Sequence, residues 1–142
     1  MIEGLLTLGC VVIGALGFIH LIYTFRTDHF EPRDAELGTK LRSVSPRLTS
    51  ETTMWRAWIG FNASHSLGAL LFAILYGYFA KYELWYLLSS PFLMGLSLVV
   101  LTTYLVLARL YWFKAPFIGI AVALALFSAG YGMAYLTYLG VL

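Results

Sequence analysis

Apolar residues fall into four long runs, at about 4–25, 54–80, 84–110 and 116–141, and polar residues collect in the gaps between them. A bilayer core of about 30 Å takes roughly 20 residues of helix. Each run therefore predicts a membrane-spanning helix. Every Asp, Glu, Lys and Arg lies between the runs or at their margins, with Arg56 the deepest and able to snorkel. Lys81-Tyr82-Glu83 makes a tight turn between the second and third runs, and 111–115 is a short link, with Pro116 suited to a first helical turn. Short connections make neighbouring helices antiparallel. Pro91 leaves two options: it kinks the third span, or Ser90-Pro91 starts it and 84–89 lies in the interface. The pattern changes in the first linker, 26–53. There Leu37, Leu41, Val44 and Leu48 recur at i, i+4, i+7 and i+11, one face of a helix. Pro32 offers a start, Glu36 and Lys40 form an i,i+4 pair, and Ser45-Pro46 interrupts. Such a stripe lies on the membrane surface; the alternative is a lid over the end of the bundle. The predicted fold is all-α: an antiparallel four-helix transmembrane bundle, one domain over 1–142, with a short amphipathic cytoplasmic helix in the first loop.

Composition supports a membrane class and narrows it. Hydrophobic residues make up 61% and charged residues 11% of the 142, against roughly 45–50% and about 25% in soluble domains. Mean hydropathy is +0.82. A soluble enzyme, a disordered chain and a disulfide-stapled module are all excluded. The single cysteine, Cys10, allows no internal disulfide, and one Cys with three His excludes a cysteine-rich zinc or iron–sulfur site. The first run starts with Glu3 rather than basic residues and is too long for a cleaved signal. Leu8-Gly9-Cys10 is set aside as a lipidation motif, because the apolar run continues past the cysteine. Arg26, Arg33, Lys40, Arg42, Arg47 and Arg56 flank the first loop, Arg109 and Lys114 the third, and Lys81 alone the opposite side. The positive-inside rule then places loops 26–53 and 111–115 in the cytoplasm and both termini outside. Tyr23, Trp55, Trp58, Tyr111 and Trp112 mark one interface, and Tyr78, Tyr82, Trp85, Tyr86 and Tyr138 the other.

No carboxylate, lysine or arginine lies mid-span. That disfavours proton pumping, cation transport and paired-carboxylate chemistry. Two histidines remain within spans. His20 lies six residues before Arg26, about 9 Å along a helix, and His65 nine after Arg56, roughly 13 Å. Both occupy the cytoplasmic half of consecutive antiparallel spans, so they can meet. Trp58, Asn62 and His65 share a face at i, i+4 and i+7, with Gly68 and Ala69 beyond. Thr102 and Thr103 reach a similar depth, which would extend the polar layer to a third helix.

This layer has four readings. His20, Asn62, His65 and the threonines satisfy one another and fix helix register. Or His20 and His65 are the two axial ligands of a b-type haem, with Asn62 or Ser66 orienting a ring. Or His29 joins them, with Asp28 or Glu31 nearby, in a three-histidine metal site. Or the layer holds a small lipophilic ligand. The register reading leads, with no cofactor. Asn62-Ala63-Ser64 lies inside a span, out of reach of glycosylation. Cys10 reads as a packing residue and His29 as a solvated loop residue. Gly9, Gly14 and Gly17 thin the first span, and Ala121, Ala125, Ser128 and Gly132 make a small-residue stripe on the fourth. Close helix contact within the bundle is the expected use, and a face for a second copy or a partner subunit the alternative.

The run Thr52-Thr53-Met54-Trp55-Arg56-Ala57-Trp58-Ile59-Gly60-Phe61-Asn62-Ala63-Ser64-His65-Ser66-Leu67-Gly68 resembles a segment of small bacterial four-span membrane proteins. Phe25-Arg26 and Pro32-Arg33-Asp34 add to the likeness, which covers about half the chain. The resemblance implies the architecture and a bacterial cytoplasmic membrane, draws attention to His20 and His65, and carries no activity. The chain does not resemble the sterol-isomerase and sigma-receptor group, whose spans hold acidic residues. The leading expectation is a non-enzymatic accessory or scaffold protein, packed in the lipid bilayer against itself or a larger membrane complex. A haem- or metal-binding redox protein and a lipophilic-ligand-binding protein are the alternatives. No nucleic-acid partner is expected.

Overall fold

A computed structural model describes residues 1–140. Among them are six α-helices and no strand: α1 (Ile2–Arg26), α2 (Ala35–Ser43), α3 (Met54–Tyr82), α4 (Leu84–Ser89), α5 (Pro91–Tyr111) and α6 (Lys114–Tyr138). Four of these, α1, α3, α5 and α6, are long and apolar enough to cross a membrane.

At Pro91 the structure takes the second of the two sequence options, and in the linker the helix starts later than expected. The third span begins at Pro91, and 84–89 forms the separate short helix α4. Proline lacks the N–H a continuing helix would use, and it pushes the preceding residue to extended backbone. Ser90 accordingly sits at φ −106°, ψ 98°, and its hydroxyl accepts the Leu93 N–H, so the residue that stops α4 caps α5. In the linker, α2 starts after Asp34 rather than at Pro32. The Asp34 carboxylate accepts the N–H groups of Glu36 and Leu37, a strong N-cap. The helix ends at Ser43 because Pro46 follows so closely. Only Leu37 and Leu41 of the expected stripe are helical; Val44 is the C-cap, and Leu48 lies beyond, 93% exposed. Glu36 and Lys40 pair at 2.7 Å as expected. At the far end, Gly140 takes the left-handed φ of 71° just after α6, the usual glycine helix stop.

The chain divides into two compact units, 1–16 with 69–142, and 17–68. In the first, Leu6, Cys10, Ile13, Phe72, Tyr76, Leu101, Ala123, Phe127 and Tyr131 form a buried core. Phe127 lies within 5.6 to 6.0 Å of the rings of Phe72, Tyr76 and Tyr131. Gly9 and Gly14 do thin α1. A Cβ on Gly9 would come within 2.8 Å of the Phe127 ring, and one on Gly14 within 3.2 Å of Ala73. The stripe on α6 is a different matter. Its buried face carries Ile120, Ala123, Phe127, Gly130 and Tyr131, whereas Ala125, Ser128 and Gly132 are exposed and Ala121 half-buried. The interior face mixes large side chains with Ala123 and Gly130, and the residues of the expected stripe mostly point away from it. Several polar groups inside this unit are paired, and the buried Thr7 hydroxyl has no hydrogen-bond partner among the described residues. Ser97 and Tyr131 share a hydrogen bond of 2.9 Å, and the Tyr76 hydroxyl donates to the Leu93 carbonyl at 2.9 Å. Glu3 and Lys81 form an ion pair of 2.8 Å.

Candidate functional site

The second unit, 17–68, holds the end of α1, the linker with α2, and the start of α3. His20 and Asn62 meet across it, with Nε2 3.0 Å from Oδ1. The Asn62 amide nitrogen donates to the Trp58 carbonyl at 2.8 Å, one turn back. That fixes Oδ1 as an acceptor, so His20 Nε2 carries the proton and Nδ1 the lone pair. The Ser66 hydroxyl donates to the Asn62 carbonyl and the Thr24 hydroxyl to the His20 carbonyl. His65 lies edge-to-face against His20, ring centroids 5.2 Å apart. The depth argument from sequence thus brings His20, Asn62 and His65 together. Thr102 and Thr103 are exposed, and the Thr103 hydroxyl donates to its own helix at the Val99 carbonyl.

The linker folds back onto this cluster. Phe30 packs against the His20 ring at 4.7 Å, and Trp58 meets Phe30 edge-on at 6.2 Å. The Trp58 indole N–H donates to the Phe30 carbonyl at 3.3 Å. His29 turns aside: it stacks on Tyr23 at 4.3 Å, and its Nδ1 lies 2.9 Å from the Thr27 hydroxyl. The three histidines do not gather, and among the described residues no group of three His, Cys, Asp or Glu is placed to hold a metal ion. His20 and His65, ring against ring, do not flank a porphyrin plane. Haem ligation by both would require the pair to separate and, if through His20 Nε2, that atom to release Asn62.

Beside Phe30 opens a pocket of about 380 Å³, walled by Phe30, Pro32, Leu41, Met54, Trp55 and Trp58. Its size falls within the ordinary range for small-ligand sites. His29 and Glu31 are its polar members. Glu31 is already matched, because Arg42 Nη2 donates to its carboxylate. The same guanidinium lies 4.2 Å over the Trp55 ring and donates to the Gly38 carbonyl at 3.0 Å. The Glu31 hydrogen bond pushes the Arg42 guanidinium further above its already high value. Arg42 thus clasps α2 against the loop and the start of α3. Gly38 permits this closeness, since a Cβ there would sit 3.3 Å from Arg42 and 3.4 Å from Pro32.

Sequence reading missed Phe30 and Arg42 as site residues, named Glu31 only beside a metal site, took Trp55 for an interface anchor, and gave Trp58 both to the interface and to the face of Asn62 and His65. The one local signal was Phe30, the single Phe, Tyr or Trp of the linker, two positions before Pro32.

No protein-family model matches the chain, and neither the curated proteins nor the solved structures give a match. The class therefore rests on the helices, and four apolar spans fit a multi-pass membrane protein.

Proposed function

We propose that this chain is a non-catalytic multi-pass membrane protein that binds a lipophilic ligand in the pocket of Phe30, Leu41, Met54, Trp55 and Trp58. The observation that carries the reading is that pocket: open, walled by apolar and aromatic groups, its carboxylate already neutralised by Arg42. The His20–Asn62–His65 cluster serves as a register pin behind the Phe30 wall. His20 and Asn62 are hydrogen-bonded to each other, and Asn62 is tied to its own helix through the Trp58 carbonyl. We place the spans antiparallel, supported by Glu3 pairing with Lys81, the two lying near opposite chain ends of α1 and α3.

Native mass spectrometry of the detergent-solubilised chain tests the reading. A lipophile should remain bound, and Leu41→Trp, which puts an indole into the pocket, should release it. Equal retention by both forms overturns the reading. A Soret band in the same sample would overturn the register role of His20 and His65.

A second reading is an accessory subunit. It is favoured by the outward face of α6, where Ala125, Ser128 and Gly132 leave room for close approach of another helix. Ser128→Leu should dissociate a homo-oligomer or a larger membrane complex without changing lipophile retention.

A further inference from the structure

We infer that the pocket takes an uncharged lipophile ending in a hydroxyl, which donates its hydrogen bond to His29 Nε2; the inference rests on the pocket reading above. The pocket has two polar members, and Glu31 is spent on Arg42. Neither an anion nor a cation gains a full countercharge there. The group left to recognise a ligand is His29, and its proton can be placed. The Thr27 hydroxyl donates to the Tyr23 carbonyl at 3.0 Å, so its one proton is committed. Toward His29 that oxygen only accepts, and it takes the His29 backbone N–H at 3.3 Å. His29 Nδ1 lies 2.9 Å from the same oxygen, so Nδ1 is the ring nitrogen that carries the proton. The Asp28 carboxylate, 3.9 Å from Nδ1, favours the same assignment.

In the neutral ring Nε2 then holds a lone pair. Tyr23, stacked at 4.3 Å and within 4° of parallel, fixes the plane of the ring. No residue among those described donates to Nε2. The Trp58 indole N–H is spent on the Phe30 carbonyl. The Trp55 indole N–H has no hydrogen bond among the described residues. Any ligand oxygen can accept from it, so it does not discriminate. A hydroxyl both accepts and donates, whereas an ether, ester or ketone of the same skeleton only accepts and leaves Nε2 unserved. The rest of the ligand lies against Phe30, Leu41, Met54, Trp55 and Trp58 in either case. The His29 side chain is exposed, so water competes, and a net hydrogen bond of this kind is worth about two- to tenfold in affinity.

The test uses the full chain in phosphatidylcholine vesicles at about pH 8 and reads tryptophan quenching. One arm carries a dibrominated octadecanol, the other its methyl ether at equal mole fraction. The pocket's share is the quenching lost in the Trp55→Phe/Trp58→Phe variant, which subtracts Trp85 and Trp112. We expect the alcohol to quench the pocket at about a two- to tenfold lower mole fraction than the ether. His29→Phe keeps a ring against Tyr23 and removes Nε2. In that variant the preference should vanish while quenching by the ether persists. Equal quenching by alcohol and ether in the unaltered chain refutes the hydroxyl selectivity and leaves the pocket reading standing. A preference unchanged in the histidine variant refutes His29 as the acceptor. No pocket quenching by either probe refutes the pocket reading itself.

Discussion

Replacing Asn62 by Leu removes the acceptor that lies 3.0 Å from His20 Nε2. Asn62 is 8% exposed and His20 half-buried, so water replaces the lost partner poorly. Hydrogen bonds between membrane helices average about 0.6 kcal/mol and reach about 1.7. Leaving a buried donor unsatisfied costs about 1–3 kcal/mol. The second Asn62 bond, to the Trp58 carbonyl, adds little, because that oxygen already lies within the α3 hydrogen-bond ladder. For Asn62→Leu we expect a loss of about 1–2 kcal/mol, roughly a five- to thirtyfold shift in the unfolding equilibrium. His20→Leu should cost a similar amount. The double variant leaves neither group unpaired, and such paired removal is nearly neutral. It should therefore be more stable than the two single losses added together, with a coupling of about 1 kcal/mol. The assay is reversible unfolding by dodecyl sulfate in mixed micelles, followed by far-ultraviolet circular dichroism. Additivity to within about 0.3–0.5 kcal/mol would mean the two side chains do not hold the helices in register.

Three further outcomes concern the core and the topology. Gly9→Val should lower the melting temperature, because its first added carbon already meets the enclosed Phe127 ring at 2.8 Å; overpacking costs about 1–3 kcal/mol. Gly60→Ala, with nothing within 4 Å of the new carbon, should hold or raise it, helix propensity adding up to about 1 kcal/mol of stability, and the reverse order would refute the account of the core. For topology, single cysteines at Ser50 and Glu83 in a Cys10→Ala background should label from opposite sides of the membrane, Ser50 from the cytoplasm. Labelling from one common side would sink the antiparallel arrangement.

The spans were legible because hydropathy is a local property and each run carries its own signal. The meeting of His20 with Asn62 was legible for a similar reason: depth along a helix can be counted from the flanking arginines. What failed depended on which way a face turns. Ala125 and Ser128 read as an interior stripe, yet the fourth span turns Phe127 and Ile120 inward, and spacing alone cannot choose between two apolar faces of one helix. Leu48 matched the helical period but lies past a proline that ends the helix. The hydrogen bond of Ser97 to Tyr131 joins residues 34 apart with no periodic mark. Phe30 was unreadable because its place depends on the linker folding back through Arg42, Glu31 and Trp55.

The serine–proline step at 90–91 also sets a length. At 1.5 Å per residue, the 21 residues of α5 extend about 31 Å, close to the hydrocarbon thickness of a typical bilayer. The 25 residues of α1 and the 29 of α3 extend about 37 and 43 Å. Those longer helices must tilt or run into the headgroup zone, where Arg56 and Lys81 near the ends of α3 are suited to sit. A thicker bilayer still falls within the lengths of α1 and α3, but α5 has no length in reserve. Had α4 and α5 been one continuous rod, this limit would be absent. Two adjacent residues thus set the length of the shortest of the four candidate spans.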